Sequence, residues 1–161
     1  MNNKMRLRFP LPGRKDLQEP AYFFDDGLRF ECQRCGGCCT GEAGTIYIAR
    51  DEIGPIAAAL KVTRTELIRG WCYPFRDSFS LREKEDGQCC LYDHGCTIYA
   101  VRPRQCSTWP FWFDIMRSET RWQKAACKCP GIGRGRLHSR EEILGRIAAS
   151  YPGPAADPAQ G

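Results

Sequence analysis

The chain has 161 residues, of which 42% are hydrophobic, a size and apolar share that suit one domain with a modest core. Its formal charge is +5, but that count treats eleven cysteines as neutral. A four-thiolate site around Zn²⁺ or an iron–sulfur cluster carries roughly −2, and two such sites would bring the total to about +1, so the charge balance argues weakly for nucleic acid. No run approaches membrane-span length. Residues 1–20, broken by Pro10, Pro12 and several charges, hold no apolar stretch of signal-peptide length. The expectation is a cytoplasmic protein without a membrane partner. Thiols stay reduced in that compartment, so clustered cysteines favour metal over disulfides, and an odd count fits poorly with complete pairing in one chain.

Residues 1–20 read as a basic extended arm. Asp25-Asp26-Gly27 then marks a turn between the apolar runs Tyr22–Phe24 and Leu28–Phe30, and predicts a small hairpin leading into the cysteines. Residues 32–39 read Cys32-Gln33-Arg34-Cys35-Gly36-Gly37-Cys38-Cys39. Sulfur returns every third position, and two glycines let the backbone turn tightly around whatever the sulfurs hold. Thiolates this close repel one another unless a cation neutralises them.

Thr45–Ile48 reads as a strand, and Asp51–Leu60 as an amphipathic helix with Ile53, Ile56, Ala57 and Leu60 on one face. Thr63-Arg64-Thr65-Glu66 is a capping box and predicts a second helix over Arg64–Gly70. Cys72, alone among aromatics, reads as a buried apolar residue. Ser78–Glu83 and Gln88–Tyr92 flank Lys84-Glu85-Asp86-Gly87, a second hairpin signal that carries Cys89 and Cys90. Cys96 follows the turn Asp93-His94-Gly95, and Arg102-Pro103 stops a single helical turn over Thr97–Val101. Cys106 precedes Trp109-Pro110-Phe111-Trp112-Phe113, aromatics read as core rather than as a base-stacking surface.

Phe111–Met116 and Arg121–Ala125 predict a third hairpin, leading to Cys127-Lys128-Cys129-Pro130. In Gly131-Ile132-Gly133-Arg134-Gly135, bare backbone N–H groups are expected to wrap a sulfur beside Cys129 rather than cradle a phosphate. Ser139-Arg140-Glu141-Glu142 caps a helix running to about Ser150. His94 and His138 read as exposed polar residues. Arg34, Arg102, Arg104, Lys128 and Arg134 lie near or between the cysteines, where positive charge stabilises thiolate. Residues 151–161 read as a disordered tail, leaving 21–150 as the cysteine-cluster domain.

The ordered set Cys32-x-x-Cys35-Gly36-x-Cys38-Cys39, Gly87-x-Cys89, Cys96-x-Ile98-Tyr99, Arg102-Pro103-x-x-Cys106, Trp109-Pro110-Phe111 and Cys129-Pro130-Gly131-Ile132-Gly133 resembles the YkgJ-type CxxCxxCC family, proteins taken to chelate zinc or iron. The resemblance runs from about Phe30 to Gly135. It implies that Cys32, Cys35, Cys38, Cys39, Cys89, Cys96, Cys106 and Cys129 are the metal ligands, while Cys72, Cys90 and Cys127 fall outside the pattern. The family usually has arginine directly after the cysteine matched by Cys106, where this chain has Ser107. A working division gives Cys32, Cys35, Cys38 and Cys129 to one centre and Cys39, Cys89, Cys96 and Cys106 to another.

The implied cofactor is an iron–sulfur cluster or zinc. Structural zinc usually takes paired knuckles, and a second knuckle is not evident here. A Cys-x-x-Cys-x-x-Cys run completed by Cys-Pro is closer to the bacterial ferredoxin pattern, though the spacing differs. The expected fold is a small, irregular α+β domain of short hairpins and about three helices organised around cysteine-bound metal. Three functions compete. The first is a metal-binding protein whose centre is structural or redox-active. The second is a cluster-dependent group-transfer enzyme, since the resemblance extends to the cysteine-rich region of flagellin lysine N-methylases. The third is a zinc-module adaptor for nucleic acid or protein. A protein partner is compatible with the sequence, and a nucleic-acid partner is disfavoured. No catalytic residue is assigned, because no nucleophile with a partnered histidine is apparent.

Overall fold

The structure, a computed structural model, describes residues 21–41 and 44–150. The arm expected over 1–20 and the tail expected over 151–161 lie outside the described residues. The fold is the mixed helix-and-sheet kind expected, with two small antiparallel sheets and seven α-helices among the described residues. Three of those helices are single turns of four residues.

One sheet pairs β1 (Leu28–Phe30) with β5 (Ile132–His138). Thus the run after the Asp25-Asp26-Gly27 turn finds its partner far along the chain, not in Tyr22–Phe24 as the predicted hairpin required. The register steps from Arg29↔Leu137 to Phe30↔Ile132, so residues 133–136 bulge out between them. The glycine-rich segment is therefore sheet and bulge rather than a loop around sulfur. Its Gly131 is packed so closely on Glu31 that a Cβ there would lie 2.2 Å from the Glu31 carbonyl oxygen.

The other sheet has the order β2 (Tyr47–Ile48), β4 (Ser78–Leu81), β3 (Cys72–Phe75). Over it lie α2 (Ile53–Ala59) and α3 (Arg64–Trp71). At the start of α3, Thr63 Oγ1 accepts from Glu66 N–H while Glu66 reaches back to Thr63 N–H. These elements enclose a first apolar core that includes Ile48, Ile56, Leu67, Cys72, Leu81, Leu91 and Ile98. Cys72 is buried there, as its aromatic neighbours implied.

The second core holds Phe24, Phe30, Phe111, Met116, Trp122, Ile143 and Ile147. It is built from β1, the short α5 (Phe113–Met116), α6 (Glu119–Lys128) and α7 (Arg140–Ser150). The third predicted hairpin is thus a helix pair. The first helix ends at its C-cap, Arg117, and Ser118 caps the next, its Oγ accepting from Arg121 N–H at 3.3 Å. The local signal was a cap, Ser followed by Glu119, rather than a turn between strands. The α7 capping box forms as predicted, with Ser139 N–H donating to Glu142 and Glu142 N–H to Ser139 Oγ.

Between the cores run the cysteine loop with α1 (Gly37–Thr40), a 3-10 turn over Tyr99–Val101, and α4 (Arg104–Ser107). Gln105 of α4 fastens this middle layer on both sides. Its side chain accepts from Tyr47 N–H at 2.8 Å and donates to the Thr45 carbonyl at 3.1 Å. Its carbonyl accepts from the Trp112 indole N–H at 2.6 Å.

Candidate metal centre

The turn through the cysteine run is made by Arg34 at φ 53° and Gly36 at φ 77°. A Cβ at Gly36 would lie 2.6 Å from the Tyr92 ring, so only glycine allows the loop to seat here. Gly36 then opens α1 by accepting from the backbone N–H groups of Cys39 and Thr40. The Cys39 carbonyl accepts from Cys89 N–H at 2.8 Å, pinning the loop to the Gln88–Tyr92 segment. The turn that carries Cys89 closes as predicted, with Lys84 N–H donating to the Gln88 carbonyl and Glu83 bridging to Cys89.

This brings five of the eight cysteines named above into one neighbourhood. Cys39 hydrogen-bonds through its side chain to both Cys38 and Cys96. Cys89 and Cys106 lie within electrostatic reach of Cys38 and Cys96. Cys38 therefore groups with Cys39, Cys89, Cys96 and Cys106, not with the first centre of the working division. As a whole residue it is exposed, yet its sulfur faces its neighbours.

Their protonation is uneven. The single S–H of Cys39, shared between them, brings Cys38 down to about 7 and Cys96 down to about 6, with Arg102 helping both. Cys39, the shared donor, is pushed up in turn. A hydrogen bond from Cys90 brings Cys89 down to about 7 and pushes Cys90 up. Burial pushes Cys106 up, reinforced by the neighbouring sulfurs. The frame thus favours thiolate at three positions while protons hold the others in place. Among the described residues, no three Cys, His, Asp or Glu side chains already close around one metal-sized point. The sulfurs are gathered by hydrogen bonding, which is the chemistry that a thiophilic cation would replace.

Of the other three cysteines, Cys32 borders the same cleft as Cys38 and Cys106. Cys32 and Cys35 are exposed and Cys129 is half-buried against the second core. Cys32 lies 4.0 Å from an Arg102 guanidinium nitrogen. A Cβ at Gly37 would sit 3.6 Å from the Cys35 sulfur and 3.3 Å from the Lys128 carbonyl oxygen, so Cys35 lies near the chain that leads into Cys129. Of the cysteines outside the pattern, Cys90 is drawn to Cys89 and Cys127 is exposed on α6.

The basic residues divide in the same way. Arg34 and Arg102 both lie against the Tyr99 ring, at 4.1 and 3.6 Å from its centroid, a cation–π contact that holds their charge beside the cysteine loop. Arg104 turns instead to Asp51 and Glu52. His94 is exposed, as expected, but His138 is buried at 4% exposure in the second core. Sequence reading missed it because it depends on the pairing of Leu28 with His138. The only local hint was its place just ahead of the Ser139 cap.

A cleft of about 350 Å³ opens beside the cysteines. Cys32, Cys38 and Cys106 border it on one side, and Arg102, Arg136, His138 and Arg146 contribute to the rest of its lining. No helix among the described residues is long and apolar enough to cross a membrane.

No solved structure matches the chain. Among curated proteins it is similar to "Uncharacterized protein MJ0661" of Methanocaldococcus jannaschii, with 23% identity over 136 residues that cover 80% of this chain and 72% of the relative. Residues 31–130 fit the CxxCxxCC family, described as a "Putative zinc- or iron-chelating domain", and the chain belongs to that family.

Proposed function

We propose that this protein holds an iron–sulfur cluster or zinc through Cys32, Cys35, Cys38, Cys39, Cys89, Cys96, Cys106 and Cys129, and that the centre has a redox role when it is an iron–sulfur cluster. The observation that carries the reading is the convergence of Cys38, Cys39, Cys89, Cys96 and Cys106 from three separate segments, with three of them held toward thiolate. Thiolate, not thiol, is the metal ligand. Arg102, set on Tyr99 beside these sulfurs, offsets their negative charge, and nearby charge of that sign raises a reduction potential.

Bound here, an iron–sulfur cluster would supply one-electron transfer, whereas zinc would supply a redox-inert cross-link. Anaerobic preparation with visible absorption and elemental analysis tests the reading. Brown protein with iron and sulfide supports the cluster, and colourless protein with stoichiometric zinc supports the knuckle. Protein with neither metal after reconstitution would sink the proposal.

A further inference from the structure

The cleft beside the cysteines has chemistry that the sulfurs do not use. His138 Nε2 lies 3.1 Å from the Phe30 carbonyl oxygen. A carbonyl only accepts, so Nε2 carries the proton, and in the neutral ring Nδ1 is left as an acceptor. That atom is buried without a hydrogen-bond partner, and Glu142 Oε2 stands 4.0 Å away. An ionised carboxylate has no proton to give it. Arg102 Nε, a donor, is likewise buried and unpartnered. Buried polar atoms are nearly always paired, and the two residues that carry this unmet donor and unmet acceptor both line the cleft.

The charge around it points the same way. Arg102, Arg136 and Arg146 all line the cleft. Arg102 is the cation acting on Cys38, Cys96 and Cys106. Arg136 and Arg146 act instead on His138, each disfavouring a charge there, and Arg136 disfavours the charge on Arg146. Glu142 engages Arg136 at 2.9 and 3.0 Å, and Glu31 also reaches the lining. Arg146 donates only a long bond, 3.4 Å, to the Ser107 carbonyl and lies over the Phe111 ring. Arg136 and Arg146 thus crowd each other, while Arg102 faces the thiolates.

We propose that this cleft binds a small oxyanion that retains a hydrogen, of the hydrogen-phosphate kind. Its oxygens are held by Arg102, Arg136 and Arg146, and its O–H is given to His138 Nδ1. Guanidinium forks suit such oxyanions. Sulfate has the charge and shape but no proton to donate at neutral pH, so the orphaned acceptor makes the site selective between the two.

The test is calorimetric titration of the protein as purified with inorganic phosphate and, separately, with sulfate at matched ionic strength, with metal content measured on every sample. Phosphate is expected to bind, with sulfate at least about tenfold weaker. Arg146→Gln and Arg136→Gln should each weaken phosphate about tenfold or more and leave metal content unchanged, while Arg146→Lys should retain part of the affinity. If half-buried Arg146→Gln does not fold, exposed Arg136→Gln carries the test. No heat at millimolar phosphate, sulfate binding as well as phosphate, or unchanged phosphate binding in the glutamine variants would each overturn the proposal. So would loss of metal in those variants, which would assign the arginines to the cysteine site. Metal content read alone reports on the metal reading, so the two fail separately.

Discussion

Two sets of sulfurs share this domain, and the protein treats them differently. Cys38, Cys39, Cys89, Cys96 and Cys106 lie where segments from the first core meet the cysteine loop, and their protons are shared or displaced within the frame. Cys32 and Cys35 are exposed, and Cys129 leans on the second core. The inner set is framed by apolar packing and backbone hydrogen bonds. The outer set has little around it but Arg102 and the chain near Lys128. Packing therefore frames one part of the site more closely than the other.

The largest effect that tests this contrast is removal of metal. A structural zinc site contributes on the order of 10–16 kcal/mol of folding energy, beside a typical domain stability of about 5–15 kcal/mol. Chelation under reducing conditions should abolish the cooperative thermal transition seen by circular dichroism. A stripped chain that melts at the same temperature would show that the cores alone suffice. Next come the cores themselves. Phe111→Ala should cost about 3–5 kcal/mol and Ile56→Ala about 2–5 kcal/mol in urea melts, since both side chains are fully buried. Ile56→Ala should disturb metal bound near Cys89 and Cys96, which pack against the first core. Equal metal loss from both variants would erase the distinction between the two sets.

Acid should act in between. Cys38, Cys89 and Cys96 are brought down to about 7, 7 and 6. A lowered thiol keeps its thiolate above that pH and loses it as pH falls through it, so these ligands stay ready above about pH 7 and are lost below about 6. Metal content followed by dialysis should hold at pH 7.5 and fall below pH 6. Metal affinity that does not change between pH 7.5 and pH 5 would show that these sulfurs are not the ligands. The smallest effect is local. Thr63→Ala removes the α3 cap and should cost about 1 kcal/mol, with metal content unchanged.

Much of this was readable in advance, for local reasons. Thr63 and Ser139 announce their helices because a capping box is complete within four residues. Cys72 declares itself buried by its neighbours. Membership of the cysteine set came from motif order, but grouping within it did not. Cys38 and Cys39 are adjacent, and nothing in their spacing says that one S–H serves both Cys38 and Cys96. The β1–β5 pairing joins residues more than a hundred positions apart, so neither the burial of His138 nor the sheet role of the glycine run could be read locally. The Ser118 junction misled because a short polar stretch between apolar runs suits a hairpin as well as a helix cap.

Gln105 carries one last implication. It sits immediately before Cys106 and is tied to Tyr47 and Thr45 on one flank and Trp112 on the other. A residue that need never touch a cation thus sets where its neighbour's sulfur can go, much as a rafter fixes a hook.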